Sequence, residues 1–214
     1  MLENLSPDNL KNEFKSNSKV RIVTYAVGGI LVLALGYFAY HQFIWKPANV
    51  KSTEVGYAGL NYAAMDSTDL AIEELTPIVK KYDGKVGGEV AQFVLARQLM
   101  AKGEYKKALD NLEGVNVEDT YVRVYAIGLQ GDCYSELKDY DEAVAYYLKA
   151  STENENDYTT PMYLFKAGLV TELKLKDPET ATEYYQTIKD KYLQFGNQKT
   201  IDKYLARAKN KKVK

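Results

Sequence analysis

Residues 124–150 read VYAIGLQGDCYSELKDYDEAVAYYLKA, with small residues at Gly131, Ala143 and Ala150 and aromatics at Tyr134, Tyr140 and Tyr147. The same marks recur on both sides of this stretch. Gly59, Ala96, Gly131 and Gly168 stand 37, 35 and 37 residues apart, and Ala71, Ala108, Ala143 and Ala181 stand 37, 35 and 38 apart. Four residues after each member of the second series comes a large apolar one, at Leu75, Leu112, Tyr147 and Tyr185. Two series that keep one period of this length indicate an array of stacked supersecondary units.

The pattern resembles the tetratricopeptide repeat, a unit of about 34 residues that forms two antiparallel helices. Gly131, Tyr134, Asp139, Tyr140, Ala143, Tyr147 and Ala150 all fall in its register, whereas Val115 and Thr171 depart from it. The demand behind the pattern is steric. Where the two helices of a unit cross, only Gly or Ala lets the backbones close to about 8–10 Å, and large side chains fill the flanking holes. A single pair cannot bury its apolar face alone, so pairs stack, and the last needs a polar cap. The expected fold is therefore all-α: an α-solenoid of about four helix pairs, closed by a helix over residues 197–211 with Ile201, Tyr204, Leu205 and Ala208 on one side. Thr160-Pro161 and Asp177-Pro178 read as an N-cap followed by proline at the first helical position. Residues 82–88, rich in glycine, read as a turn that lengthens the first interval. Cys133, between two core positions, is expected to be a small, inert, buried hydrophobe.

A second feature lies upstream. Residues 22–45, IVTYAVGGILVLALGYFAYHQFIW, carry no formal charge. At 1.5 Å per residue they reach about 36 Å, more than the roughly 30 Å hydrocarbon core of a bilayer. The run is longer than a signal-peptide core and continues well past its one weak cleavage signal, Ala34-Leu-Gly36, so a retained anchor is expected. His41 stands near the far end among Tyr37, Tyr40, Phe43 and Trp45, where an interfacial aromatic belt belongs. Lys11, Lys15, Lys19 and Arg21 flank the near end against Lys46 and Lys51 at the far end, which keeps residues 1–21 cytoplasmic and exports residues 46–214. Ala26, Gly29, Leu33 and Gly36 share one face, which would let another membrane helix approach.

Charge and composition exclude several functions. Residues 46–198 hold 17 basic against 25 acidic side chains, while residues 199–214 hold seven basic against Asp202 alone. An acidic body lacks the cations that neutralise phosphates, so no nucleic acid is expected. The tail lysines Lys209, Lys211, Lys212 and Lys214 read as a solvated C-terminus rather than a lipid or RNA contact. With Cys133 the one cysteine and His41, in the apolar run, the one histidine, an intramolecular disulfide, a Cys/His zinc site and a Cys-His nucleophile pair across the soluble part are impossible or nearly so. No convergent set of acids is apparent; Asp139 with Asp141 and Glu142, and Glu153 with Glu155, read as helix caps and solvated turns. The expectation is a protein without cofactor, metal or catalytic residues.

The order of cytoplasmic stub, single membrane helix and exported repeats resembles the YfgM-like family of bacterial inner-membrane proteins. Residues 159–167 (TTPMYLFKA), the Gly131-Asp-Cys-Tyr134 segment and residues 201–209 (IDKYLARAK) are similar to its Bacteroidota branch. The resemblance implies a non-enzymatic subunit ancillary to the SecYEG translocon, working beside a PpiD-like periplasmic chaperone on newly exported polypeptides.

The binding surface of such an array is expected on its first helices. The candidates are Phe93, Arg97 and Met100, then Tyr125, Asp132 and Ser135, then Met162, Phe165 and Glu172. Met and aromatic side chains suit a groove for an extended or helical apolar segment. Arg97 stands nearly alone as a cation there, so a clamp for a C-terminal carboxylate is not expected. Two other classes remain open: an anchored scaffold for another envelope complex, and a cytosol-facing import receptor, which the flanking charges oppose.

Overall fold

The computed structural model describes residues 7–212, and every regular element among them is helical. The chain divides into two compact units, Met1–Val50 and Lys51–Lys214.

In the first unit, α1 (Pro7–Ser16) precedes α2 (Ser18–Tyr40), a π-helical turn (His41–Trp45) and the start of α3 (Lys46–Val55). Helix α2 begins ahead of the apolar run because Asn17 caps it, the carboxamide oxygen accepting the Lys19 N–H at 3.0 Å. Among the described residues, one helix is long and apolar enough to cross a membrane, and it contains the predicted span. His41 stacks on Trp45, ring centroids 4.8 Å apart, with Tyr37 one turn earlier at 6.1 Å. This aromatic packing occupies the imidazole. Ala26, Gly29, Leu33 and Gly36 are all exposed, and nothing lies within 4 Å of where a Cβ would stand on Gly29 or Gly36.

The second unit consists of helix pairs. Helices α4 (Tyr57–Ala64) and α5 (Thr68–Lys81) form the first, α6 (Val86–Ala101) and α7 (Tyr105–Glu113) the second, α8 (Thr120–Glu136) and α9 (Tyr140–Glu153) the third, α10 (Thr159–Leu173) and α11 (Pro178–Lys191) the fourth. The two periodic series meet at each crossing. A Cβ on Gly59 would lie 2.6 Å from the Leu75 side chain, and one on Gly131 would lie 2.7 Å from the Tyr147 ring. On Gly168 it would meet the Tyr185 ring. Ala71, Ala96, Ala108, Ala143 and Ala181 are fully buried beside them. The space that a small residue frees on the first helix is thus filled by the large residue of the second.

A third series appears only in the backbone. Asp66, Gly103, Lys138 and Lys176 adopt left-handed conformations, φ 54°, 75°, 67° and 62°, one at each turn between the helices of a pair. In the first three turns the next residue's N–H donates back over the helix end at 2.9 Å: Ser67 to Tyr62 O, Glu104 to Leu99 O, Asp139 to Tyr134 O. This is the hydrogen bond of a Schellman ending, which satisfies carbonyls that a helix terminus leaves bare.

Three expectations need correction. Helix α10 starts at Thr159, not after a Thr160 cap: the Asn156 carboxamide accepts the N–H groups of Tyr158 and Thr159, while the Thr160 hydroxyl turns inward to Ser151 O at 3.0 Å. Of residues 82–88, only the first part is a turn, with Gly84 at φ 65°. Gly87 and Gly88 lie inside α6, where a side chain would strike the Ser52 and Tyr82 backbones; the Gly87 N–H donates to the buried Ser52 hydroxyl at 3.0 Å. The closing segment is two helices, α12 (Leu193–Lys199) and α13 (Ile201–Lys212), broken at Thr200 by its left-handed φ of 56°. Ile201, Leu205 and Ala208 of α13 pack with Ala181, Tyr185 and Ile188 of α11, and Tyr204 is partly buried beside them. Asp177 does cap α11, accepting from Glu179 and Thr180 N–H with Pro178 in the first turn. The expectation for Lys211, Lys212 and Lys214 lies outside the described side chains.

Candidate protein-binding groove

The first helices of the second, third and fourth pairs line a cavity of about 420 Å³. Phe93 and Arg97 come from α6, Tyr125, Leu129 and Asp132 from α8, and Met162, Tyr163 and Lys166 from α10. A second cavity of about 380 Å³ adjoins it across Asp132, lined by Met100, Ala101, Tyr105, Ser135, Glu136 and Tyr147. Both have a mixed wall of aromatic and Met side chains with a few charges.

Asp132 organises the floor. Its carboxylate accepts Lys166 Nζ at 2.7 and 2.8 Å and the Tyr147 hydroxyl at 2.7 Å. The Lys166 ammonium also lies 5.5 Å from the Tyr147 ring centroid and 5.7 Å from that of Tyr163. Burial, reinforced by the Asp132 charge, pushes both tyrosine hydroxyls well above their ordinary pKa, so they remain protonated donors at any physiological pH. Two glycines make room for this arrangement: a Cβ at Gly131 would meet the Tyr147 ring, and one at Gly128 would meet the Tyr163 ring. Such an array offers shape, apolar surface and fixed charges to a partner.

Seven of the nine expected groove residues line these two cavities: Phe93, Arg97, Met100, Tyr125, Asp132, Ser135 and Met162. Phe165 and Glu172 do not, because the C-terminal helix covers that part of α10. The Phe165 ring packs edge-on against Tyr204 at 4.8 Å, and Glu172, 1% exposed, is held by Arg207. The structure adds Ala101, Tyr105, Leu129, Glu136, Tyr147, Tyr163 and Lys166 to the expected set. For Lys166 a signal existed: it stands 34 residues after Asp132, one repeat, with the opposite charge. The same offset joins Lys102 to Asp69 at 33 residues and Arg207 to Glu172 at 35.

A family model described as tetratricopeptide repeat-like domain matches residues 48–177. The chain belongs to the tetratricopeptide repeat-like domain family. The match takes in α4 to α10 and every residue of both cavities. No curated protein is significantly similar in sequence. Repeat domains of this kind act as protein–protein interaction scaffolds, and this all-helical repeat fold is typical of non-enzymatic ones.

Proposed function

We propose that the chain is a membrane-tethered interaction subunit of the bacterial envelope, anchored in the inner membrane by α2, with the repeat domain on the periplasmic side. The observation that carries this reading is the double cavity on the first helices, where Phe93, Tyr125 and Met162 remain only partly buried after the helices have packed. Its partners on this reading are the SecYEG translocon, a PpiD-like chaperone and exported polypeptides, as the resemblance to the YfgM-like family implies. The small-residue face of α2, Ala26, Gly29, Leu33 and Gly36, serves the membrane partner by close packing. The groove serves the periplasmic one.

The test is co-purification of the full chain in mild detergent, with partners identified by mass spectrometry. Gly29→Leu with Gly36→Leu should deplete the translocon and spare the chaperone. Phe93→Ala with Tyr125→Ala should do the reverse, since the two surfaces share no residue. Retention of both partners by both double variants would refute the two surfaces, and recovery of a different envelope complex would favour the generic scaffold. Orientation is read with single cysteines at positions 9 and 116 in a Cys133→Ala background. An impermeant maleimide should label 116 and leave 9 untouched in intact cells; the opposite result would revive the cytosol-facing receptor.

A further inference from the structure

The groove is electrically ordered. At its centre Lys166 and Asp132 neutralise one another. On one side Arg97 projects into the larger cavity, exposed and without an ion-pair partner among the described residues. On the other, Glu136 lines the smaller cavity in the same condition. Elsewhere on the repeats Lys102–Asp69, Arg123–Glu153 and Lys189–Asp202 form matched pairs. One free cation and one free anion therefore flank a neutral divide within a single groove.

We propose that this groove reads an extended peptide segment by charge order, taking a basic side chain at the Glu136 end and an apolar side chain followed by a carboxylate at the Arg97 end. The inference rests on the groove being the protein-binding surface proposed above. The linings fit the occupants. Beside Glu136, the partly exposed Tyr105 ring and Met100 side chain suit the aliphatic stem of Lys or Arg, and the carboxylate its cationic head. Beside Arg97, Phe93, Leu129 and Met162 form the apolar wall, and the guanidinium fork matches a carboxylate. Spacing follows from α8. Leu129 of the larger cavity and Glu136 of the smaller stand seven residues apart on this helix, about 10 Å at 1.5 Å per residue, the separation of side chains about three residues apart in a chain rising about 3.3 Å per residue.

Fluorescence anisotropy on the full chain in detergent tests this with short, end-blocked, labelled peptides in a Gly/Ser background. The parent carries arginine three residues before a leucine-glutamate pair; its companions have the two charges interchanged, or both replaced by serine. The parent should bind about fivefold tighter than either companion, with the advantage falling as salt is raised. Arg97→Glu should lose that advantage and regain it for a peptide whose glutamate is replaced by lysine, and Glu136→Lys should do the same for one whose arginine is replaced by glutamate. Both substituted side chains are exposed, and circular dichroism checks that the fold is retained. Equal affinity for all peptides, abolished by Tyr125→Ala, would overturn charge-order reading and leave the groove as a binding surface. Absence of binding by every peptide, the neutral one included, would overturn both.

Discussion

The guanidinium of Arg207 closes on the fully buried carboxylate of Glu172, Nε to Oε1 at 2.8 Å and Nη2 to Oε2 at 2.6 Å, and so ties the last helix to the fourth pair. The Tyr185 hydroxyl donates to the same carboxylate at 3.2 Å, and the carboxylate in turn raises the Arg207 pKa above its ordinary value. Removing one partner strands a charge in the core, whereas removing both, together with the Tyr185 hydroxyl that donates to the carboxylate, leaves apolar contacts. Arg207→Met alone should destabilise the repeat domain by about 3 kcal/mol, and Arg207→Met with Glu172→Leu and Tyr185→Phe should recover most of that loss. Thermal melts of the two variants check the order; equal loss in both would mean that packing, not the ion pair, holds α13.

Gly131 and Ser135 lie one turn apart on α8 and should respond in opposite ways. Gly131 faces the Tyr147 ring and the Ala143 carbonyl, so Gly131→Leu should overpack the crossing by about 3 kcal/mol. Ser135 lines the open cavity, so Ser135→Leu should cost far less. Melting temperatures that rank the two the other way would contradict the register of the third pair.

The left-handed turn residues predict a gain. Lys138 holds φ 67° with a side chain, where Gly103 holds φ 75° in the equivalent turn without one. Lys138→Gly should stabilise the protein by about 1 kcal/mol, and Gly103→Ala should destabilise it by a similar amount. Denaturation midpoints of the two variants should move in opposite directions.

That series was invisible in the sequence because Asp66, Gly103, Lys138 and Lys176 share a backbone state and no side-chain chemistry. The crossings were legible for the opposite reason: a backbone approach that excludes side chains leaves Gly or Ala at each repeat, and its filler, Leu75 or Tyr147, at a fixed offset. Seven of the fourteen residues lining the two cavities followed from that register. Phe165 and Glu172 were misplaced because the array ends there, and α13 occupies the position a further repeat would hold; Arg207, 35 residues after Glu172, marks this. Gly87 and Gly88 were misread as turn because sequence does not separate a glycine needed for its dihedrals from one needed for close approach to the Ser52 and Tyr82 backbones.

Cys133 is fully buried, and that burial, reinforced by the charges of Asp132 and Glu136, pushes its thiol up to about 12. At neutral pH the native thiol should not react with a disulfide reagent, and it should react fully after unfolding. The raised value also fixes a sign. The folded state favours the protonated thiol, so this stability is complete below the unfolded pKa, near 9, and is lost as pH rises toward about 12. Cys133→Ala should flatten that alkaline loss, leaving the part due to Tyr147, Tyr163 and Tyr185, whose pKa values are also raised. Rapid labelling of the native protein at neutral pH would contradict the packing of α8.

The central claim is that partners are held in the groove on the first helices. In intact cells, a photo-crosslinking amino acid placed at Tyr125, in the groove, is compared with one placed at Lys106, exposed on the second helix α7. Defined protein adducts are expected from position 125 and not from 106, and they should fade when Phe93→Ala is added. Adducts from 106 with none from 125, or adducts at 125 that Phe93→Ala leaves unchanged, would contradict the account.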